Sequence, residues 1–525
     1  MSPPVLLQEI ALRRRFARRS QRGQAIVLGS LSFLVLALMV TLSFNLSHAL
    51  RRKMTLQQHG DAMSFSMGVL EARALNYYAV TNRAIAGSYV AMNSLHAYMA
   101  AATITGEMLR SGETNFTQIA VTEGLRCVAC RGMCSCCKHA IEAGKVASKF
   151  GKTAKMYDRD VRGLEGNFRT AMQGLDLMVD NVHTSQRGVH DKTVQAVKDG
   201  SSHGLSQLKS EAAPEVSDLS SGVGALNANE FNCAVDGMQC QGSVANSAPE
   251  ARARVMTEIG NASRSGWPAN RNGSGMPPKQ LHPQFLKEFM DIPGNKGTYS
   301  ILGHKGSSKT VQSKSKIYEG GQKGGNQGST VAATESGRLA QLTWEDAIPP
   351  IPSGYEAFIW SDSNGGRHSV NGAHQGQHRF EGTNAKALTA CAGSGNCFMK
   401  YRANPDAGRD WGQPRVYSYY TMKLNVGDPK KAPWELNNSR SVKFEHGAQG
   451  SGSLTLSAAD GMSLSKSLVY YHRFKQGGWS EPPNLFAPYW RVKLHPFKPD
   501  EAKKVLEEAG NSDAATIAEA PGVSL

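Results

Sequence analysis

Charge is scarce in this 525-residue chain: Asp, Glu, Lys and Arg make up 19% of it, and hydrophobic residues reach only 40%. With 54 Gly and 22 Pro, that composition predicts a loop-rich, extracytoplasmic kind of surface with long irregular stretches, though not wholesale disorder. Catalytic signatures are missing as well. There is no G-x-S-x-G elbow, no H-E-x-x-H pair and no EF-hand-like ladder of carboxylates, so the sequence predicts no enzyme, no catalytic residue and no cofactor. Residues 303–310 approach a phosphate-binding loop, but Ser308 stands where the second Gly belongs and Gly- and Lys-rich linker follows in place of a helix. Acidic residues are outnumbered, 43 against 59 basic, for a formal charge of +16. Six of the cations, Arg13, Arg14, Arg15, Arg18, Arg19 and Arg22, crowd the first 22 residues against Glu9 alone. The rest are spread thinly, so no nucleic-acid partner is expected.

Charge is wholly absent between Arg22 and Arg51. Residues 25–44 are mainly Leu, Val, Ile, Phe and Ala, and at 1.5 Å per residue they span ~30 Å, the hydrocarbon thickness of a bilayer. The 13 Leu, Ile, Val and Phe residues of 25–46 favour insertion by about 6 kcal/mol before polar costs. The sequence therefore predicts one transmembrane helix over 23–50, with lipid of the inner membrane as its partner. The arginine-rich segment 1–22 stays cytoplasmic by the positive-inside rule, which carries everything after Arg51 across, despite the Arg51-Arg52-Lys53 cluster there. Ser47-His48-Ala49 has the look of a leader-peptidase site, but the apolar run exceeds the ~7–15 residues of a leader, so an uncleaved anchor is expected. Residues 84–106 also lack charge, yet only Ile85, Val90, Leu95 and Ile104 are strongly apolar, and a single pass is expected.

Beyond the span the expected class is α+β: a helical region over 51–215, an irregular linker over 216–330, a β-rich domain over 331–497, and a short helix with a polar tail over 498–525. Positions 63, 67, 70, 74, 77, 81, 84, 88, 91, 95 and 98 follow alternating steps of four and three, a helical stripe continuing from the membrane in which Met63, Met67, Leu70, Ala74, Tyr77, Leu95 and Tyr98 are read as an interaction face. A second helical block over 140–209 carries Val161, Leu164, Phe168, Met172, Leu175, Val179 and Val182 on one face. Gly, Ser and Lys dominate 294–330, which places a boundary there. Short alternating runs follow at 355–360, 415–424, 441–445, 453–456, 466–471 and 489–495, the texture of strands.

Nine cysteines fall into three groups. Cys233 with Cys240, and Cys391 with Cys397, are spaced for tight local disulfides in an oxidising compartment. Cys127, Cys130, Cys134, Cys136 and Cys137 crowd beside His139; disulfide stapling is the expected use, with a metal-binding or redox centre as the alternative. No metal ligand is assigned. One thiol is left over by the odd count. His368, His374 and His378 are read as solvated loop residues. Aromatics gather late, at Tyr417, Tyr419, Tyr420, Tyr470, Tyr471, Trp479, Phe486, Tyr489 and Trp490, chiefly as sheet core with part available for a contact surface.

Arg22-Gly23-Gln24-Ala25-Ile26-Val27, the apolar span, and then Met54-Thr55-Leu56-Gln57-Gln58-His59-Gly60-Asp61-Ala62 resemble the Tad domain of TadE/TadG-like tight-adherence (Flp pilus) assembly proteins. Glu71-Ala72-Arg73-Ala74-Leu75-Asn76 and Thr81-Asn82-Arg83-Ala84 look like the continuation in large members, and 468–473 with 479–491 resemble their carboxy-terminal end. The likeness covers roughly 1–110 and 465–497. Leu28 occupies the position where processed prepilins carry Glu, so the uncleaved TadG-like form is the better analogue, and the Asp-x-Ser-x-Ser metal motif of some TadG-like proteins is absent. The resemblance implies a membrane-anchored periplasmic component of pilus assembly or surface adhesion, acting by protein–protein contact with other Tad/Flp assembly proteins, pseudopilins or further copies of itself.

Overall fold

The computed structural model describes residues 3–201, 204–241, 246–247, 270–271, 298–300, 303–311, 330–346, 353–362, 398–403, 410–424, 442–445, 451–454 and 460–518. Side chains at 3–24, 41–42, 45, 93, 96–108, 111, 165, 270–362, 442–454 and 460 are outside that description.

No proline occurs between Pro4 and Pro214, so nothing in that stretch removes a backbone donor, and the chain forms two long helices. α1 runs Pro3–Ala129 and α2 returns over Cys136–Asp199. The reversal is made by Arg131 and Gly132, both with positive φ, and the Gly132 N–H reaches back to the Cys127 carbonyl to close the end of α1. α2 stops where Gly200 turns left-handed at φ 64°. The shorter α3 (Leu205–Ala212) and α4 (Ser221–Ala234) follow, α4 inside the stretch read from sequence as irregular. After β1 (Val235–Asp236) come β2 (Asn270–Arg271), β3 (Thr298–Ser300), β4 (Gly303–Val311), β5 (Thr330–Asp346) and β6 (Ser353–Asp362), the last five forming one antiparallel sheet. The phosphate-loop-like segment is thus strand β4.

β7 (Lys400–Tyr401) pairs with β1. β8 (Arg415–Lys423), β11 (Asp460–Tyr471) and β14 (Trp490–Leu494) form a three-stranded antiparallel sheet in the order β14-β11-β8. β9 (Val442–Glu445) pairs with β10 (Ser451–Leu454), and β12 (Phe474–Lys475) with β13 (Gly478–Trp479). α5 (Pro499–Glu508) and α6 (Ser512–Ala518) end the described chain. The mixed α+β class holds, and β6, β8, β9, β10, β11, β14 and α5 fall on or beside the stretches expected from the sequence.

Strand alternation places the three-stranded sheet between two helical layers. Val416, Tyr420, Met422, Val469 and Tyr471 pack with Leu56, Met63, Met67, Leu75 and Tyr78 of α1 in the main core, which also takes in Val197, Leu205 and Phe231. Tyr417 and Tyr419 face the other way, onto Val223 of α4 and Ala502, Val505, Leu506, Ala514 and Ala515. α1 meets its face of the sheet through a stripe of small residues four apart. A Cβ at Gly60 would sit 2.7 Å from Ser463 Oγ, and one at Gly68 2.8 Å from Ser467 Oγ. Between and beside them Ser467 Oγ donates to the Ser64 carbonyl and Ser418 Oγ to that of Gly60. Arg52 Nε donates to the Lys423 carbonyl and Lys53 to that of Met462, so the cationic cluster after the apolar run anchors the near end of the sheet.

The central sheet of the β-rich part shares a core with α1. A correction concerns the helical stripe. Met63, Met67 and Ala74 are 0–3% exposed, and Leu70 and Tyr77 pack against the same core, so the stripe is spent on the chain's own sheet and helices and offers no open face there. Leu95 packs with Ile85, Tyr89 and Met92 against Met172 and Val179 of α2; the Tyr98 side chain lies outside the described residues.

The apolar run behaves differently. Ile26, Val27, Leu28, Leu31, Phe33, Leu34, Leu36, Leu38, Met39, Phe44 and Leu46 are each 51–75% exposed, on every side of the helix. Among the described residues no helix is long and apolar enough to cross a membrane. The uninterrupted described part of the run is 25–40.

Candidate functional site

The outward face of the sheet carries charge. β8 sends Arg415 and Tyr417, and β11 sends Lys466, toward Glu501 in the first turn of α5. A carboxylate there is favoured by the helix dipole and reaches the Lys498 N–H in a capping box. Glu501 accepts from Tyr417 Oη at 2.7 Å, Lys466 Nζ at 2.7 Å and Arg415 Nη1 at 3.4 Å. Arg415 Nη2 also holds Glu230 at 2.9 Å. Lys466 Nζ bridges on to Asp410 Oδ2 at 2.7 Å, and the other Asp410 oxygen meets His495 Nε2 at 2.9 Å. Lys466, Glu501, Asp410 and Arg415 have side chains only 1–7% exposed. Burial costs several kcal/mol per ion, and each of these ions offsets that cost by bonding at least one opposite charge. Burial alone would raise the Asp410 carboxyl, but the bonds from Lys466 and His495 outweigh it and hold the group below its ordinary value.

Asp410 is also where the backbone is forced. Asp410 and Trp411 adopt φ of 49° and 58°, a left-handed conformation that costs a non-glycine residue roughly 1–2 kcal/mol each. The turn turns the Trp411 side chain outward, 59% exposed. Its ring lies 4.7 Å from that of Phe474, itself 47% exposed, and Phe474 lies 5.0 Å from Trp479. The β12–β13 hairpin places these two rings, and it needs glycine at Gly477 (φ 96°) and Gly478 (φ 126°). Between the rings and the sheet edge is a cleft of about 240 Å³, floored by Asp410, Gln413 and His495 and flanked by Tyr470 and Lys493.

Asparagines fix the helices around this region. Asn76 accepts from the Trp490 N–H and donates to its carbonyl, both at 3.0 Å, and Asn227 clasps Tyr417 in the same way at 2.8 Å. Asn82 donates to the Met399 and Leu485 carbonyls and accepts from Gln186. Asp61 pairs with Gln57 and Ser465. The segments 54–84 and 465–491 are thus bound directly to each other.

At the far end of the helical hairpin, Cys127–Cys137 and Cys130–Cys134 are disulfides with Cα atoms 4.7 and 6.0 Å apart, and Cys136 is a fully buried free thiol. The Cys130, Cys134 and Cys137 sulfurs lie within 4.8 Å of one another, close enough for a metal, but all three are committed to these bonds. Cys233–Cys240 is bonded with Cα atoms 4.8 Å apart, from the end of α4. Cys391, Cys397, His368, His374 and His378 lie outside the described residues.

Of the late aromatics, Tyr470, Tyr471 and Trp479 reach the cleft, while Tyr417, Tyr420 and Trp490 are core. Asp410, Trp411, Phe474 and His495 went unnoticed in the sequence. The one local sign was Asp-Trp-Gly ahead of a strand, too common to single out. Compared with protein-family models, with curated proteins and with solved structures, the chain matches none.

Proposed function

We propose that this chain is a membrane-anchored envelope protein with its bulk on the extracytoplasmic side, serving assembly of a Tad/Flp-type pilus or surface adhesion through protein contacts. The carrying observation is the exposure of the apolar run on all sides at one end of α1. A helix apolar all round needs a surrounding apolar phase, and no part of the described chain supplies it. The six arginines ahead of the run set the orientation. From Leu50 to Ala129 the same helix continues for ~120 Å of axial length. It passes through the sheet-bound body first and carries the disulfide-stapled tip farthest from the run.

Since the stripe at 63–77 is internal, partner contacts belong to other faces. Val121, Leu125, Val128 and Met133 at the tip are 58–80% exposed. Alkaline-phosphatase fusions after residue 120 should be active, and the Arg-rich segment should be intact on amino-terminal sequencing. Deletion of the protein should reduce adhesion or piliation, and Leu125→Glu with Val128→Glu should weaken co-purification of membrane partners without unfolding the body. Inactive fusions, or a deletion strain with normal appendages and adhesion, would sink the assignment.

A further inference from the structure

We propose that the cleft beside Asp410 is a binding site for one pyranose ring of a saccharide, with Trp411 as its stacking platform. The proposal does not depend on the pilus reading. Three observations converge. First, two adjacent non-glycine residues hold left-handed φ, and the result of that strain is to display the face of Trp411. Strain of this kind persists only where the surroundings enforce it, and here Lys466 and His495 clamp Asp410 from behind.

Second, Trp411 and Phe474 leave about half of their area to water although their rings already touch, so an apolar face remains unspent. Third, the floor is polar. Asp410 is 7% exposed, and its two oxygens bond Lys466 and His495 while each keeps a second lone pair; Lys493 stands beside it. A ligand that suits this cleft has one flat face of C–H groups and a rim of hydroxyls that both donate and accept. A pyranose has both. A proline or aromatic side chain of a peptide would cover the rings but offer no donor to the remaining lone pairs of Asp410. At about 240 Å³ the space is below the ~300–1,000 Å³ of pockets for drug-sized ligands, which suits a single ring of a longer chain.

The test uses the full chain in a detergent without a sugar headgroup, because an alkyl glycoside would occupy the site. The probes are N-acetylglucosamine, galactose and glucuronic acid with their short oligomers, followed by tryptophan fluorescence and calorimetry. At least one probe should bind saturably in the micromolar to millimolar range. Trp411→Ala should weaken it about tenfold or more, the equivalent of ~1.4 kcal/mol of lost stacking, while Trp411→Phe keeps most of it. The side chain is exposed, so far-ultraviolet circular dichroism and the urea midpoint of Trp411→Ala should match the parent. Lys493→Ala should weaken the glucuronate probe more than the neutral ones. No saturable binding by any probe, equal binding by Trp411→Ala, or preferential binding of a proline-rich or aromatic peptide at the cleft would overturn the proposal.

Discussion

Glu71 offers a sharp test of the helix–sheet core. Its side chain is fully buried in α1 and, among the described residues, neither carboxylate oxygen has a hydrogen-bond partner. Burial, reinforced by Glu230, pushes its pKa well above the ordinary 4.5. The folded protein therefore holds a proton at this position more tightly than the unfolded chain does. Over the pH range in which the fold keeps the carboxyl neutral and the unfolded chain would ionise it, stability falls by about 1.4 kcal/mol per pH unit. A group with a raised folded pKa leaves stability intact below its unfolded pKa and lowers it as pH rises toward the folded one. Glu71→Met keeps the length and helix preference of the side chain and removes the ionisable group. The expected result is a protein more stable than the parent at pH 7, with an advantage that shrinks by up to about 1.4 kcal/mol per unit as the pH is lowered to 5. Urea denaturation of the detergent-solubilised chain at the two pH values measures both. A variant that is less stable than the parent at pH 7, or an advantage that does not change between pH 5 and 7, would refute the reasoning.

Three further outcomes are expected. Asn76→Ala removes both clasps on Trp490 and leaves its N–H and carbonyl without those partners, so the urea midpoint should drop by the equivalent of about 2–4 kcal/mol, and faster proteolysis near β14 should accompany it. Met67→Lys places an ammonium at a 0% exposed position and should unfold the body, by upwards of about 4 kcal/mol, rather than merely release a partner; a folded Met67→Lys protein would show the stripe is not core. Mass mapping without reduction should find Cys127–Cys137, Cys130–Cys134 and Cys233–Cys240, and Cys136 should be alkylated only after denaturation; rapid labelling of native Cys136 would contradict its burial.

The sequence by itself determined whatever depends on neighbours along the chain. Helical periodicity marked the long helices, alternation bounded by Gly, Pro, Asn and Asp marked β8, β11 and β14, and the close spacing of Cys233 and Cys240 marked a local pairing. Each is a property of a window shorter than about 20 residues, where period and turn chemistry suffice. The tertiary structure decided which face meets which. Periodicity told that Met63, Met67 and Ala74 share one side of α1, but an inward stripe and a partner-facing stripe have the same spacing. Only the approach of β11, made possible by Gly60 and Gly68, turned that side into core. The cleft is the more extreme case. Asp410, Lys466, Glu501 and His495 are spread over some 90 residues, and Arg415 joins them to Glu230 of α4, so no local pattern links them. They meet because strand alternation and α5 bring them to one face of the sheet, where each buried ion is stable only in the company of its partners.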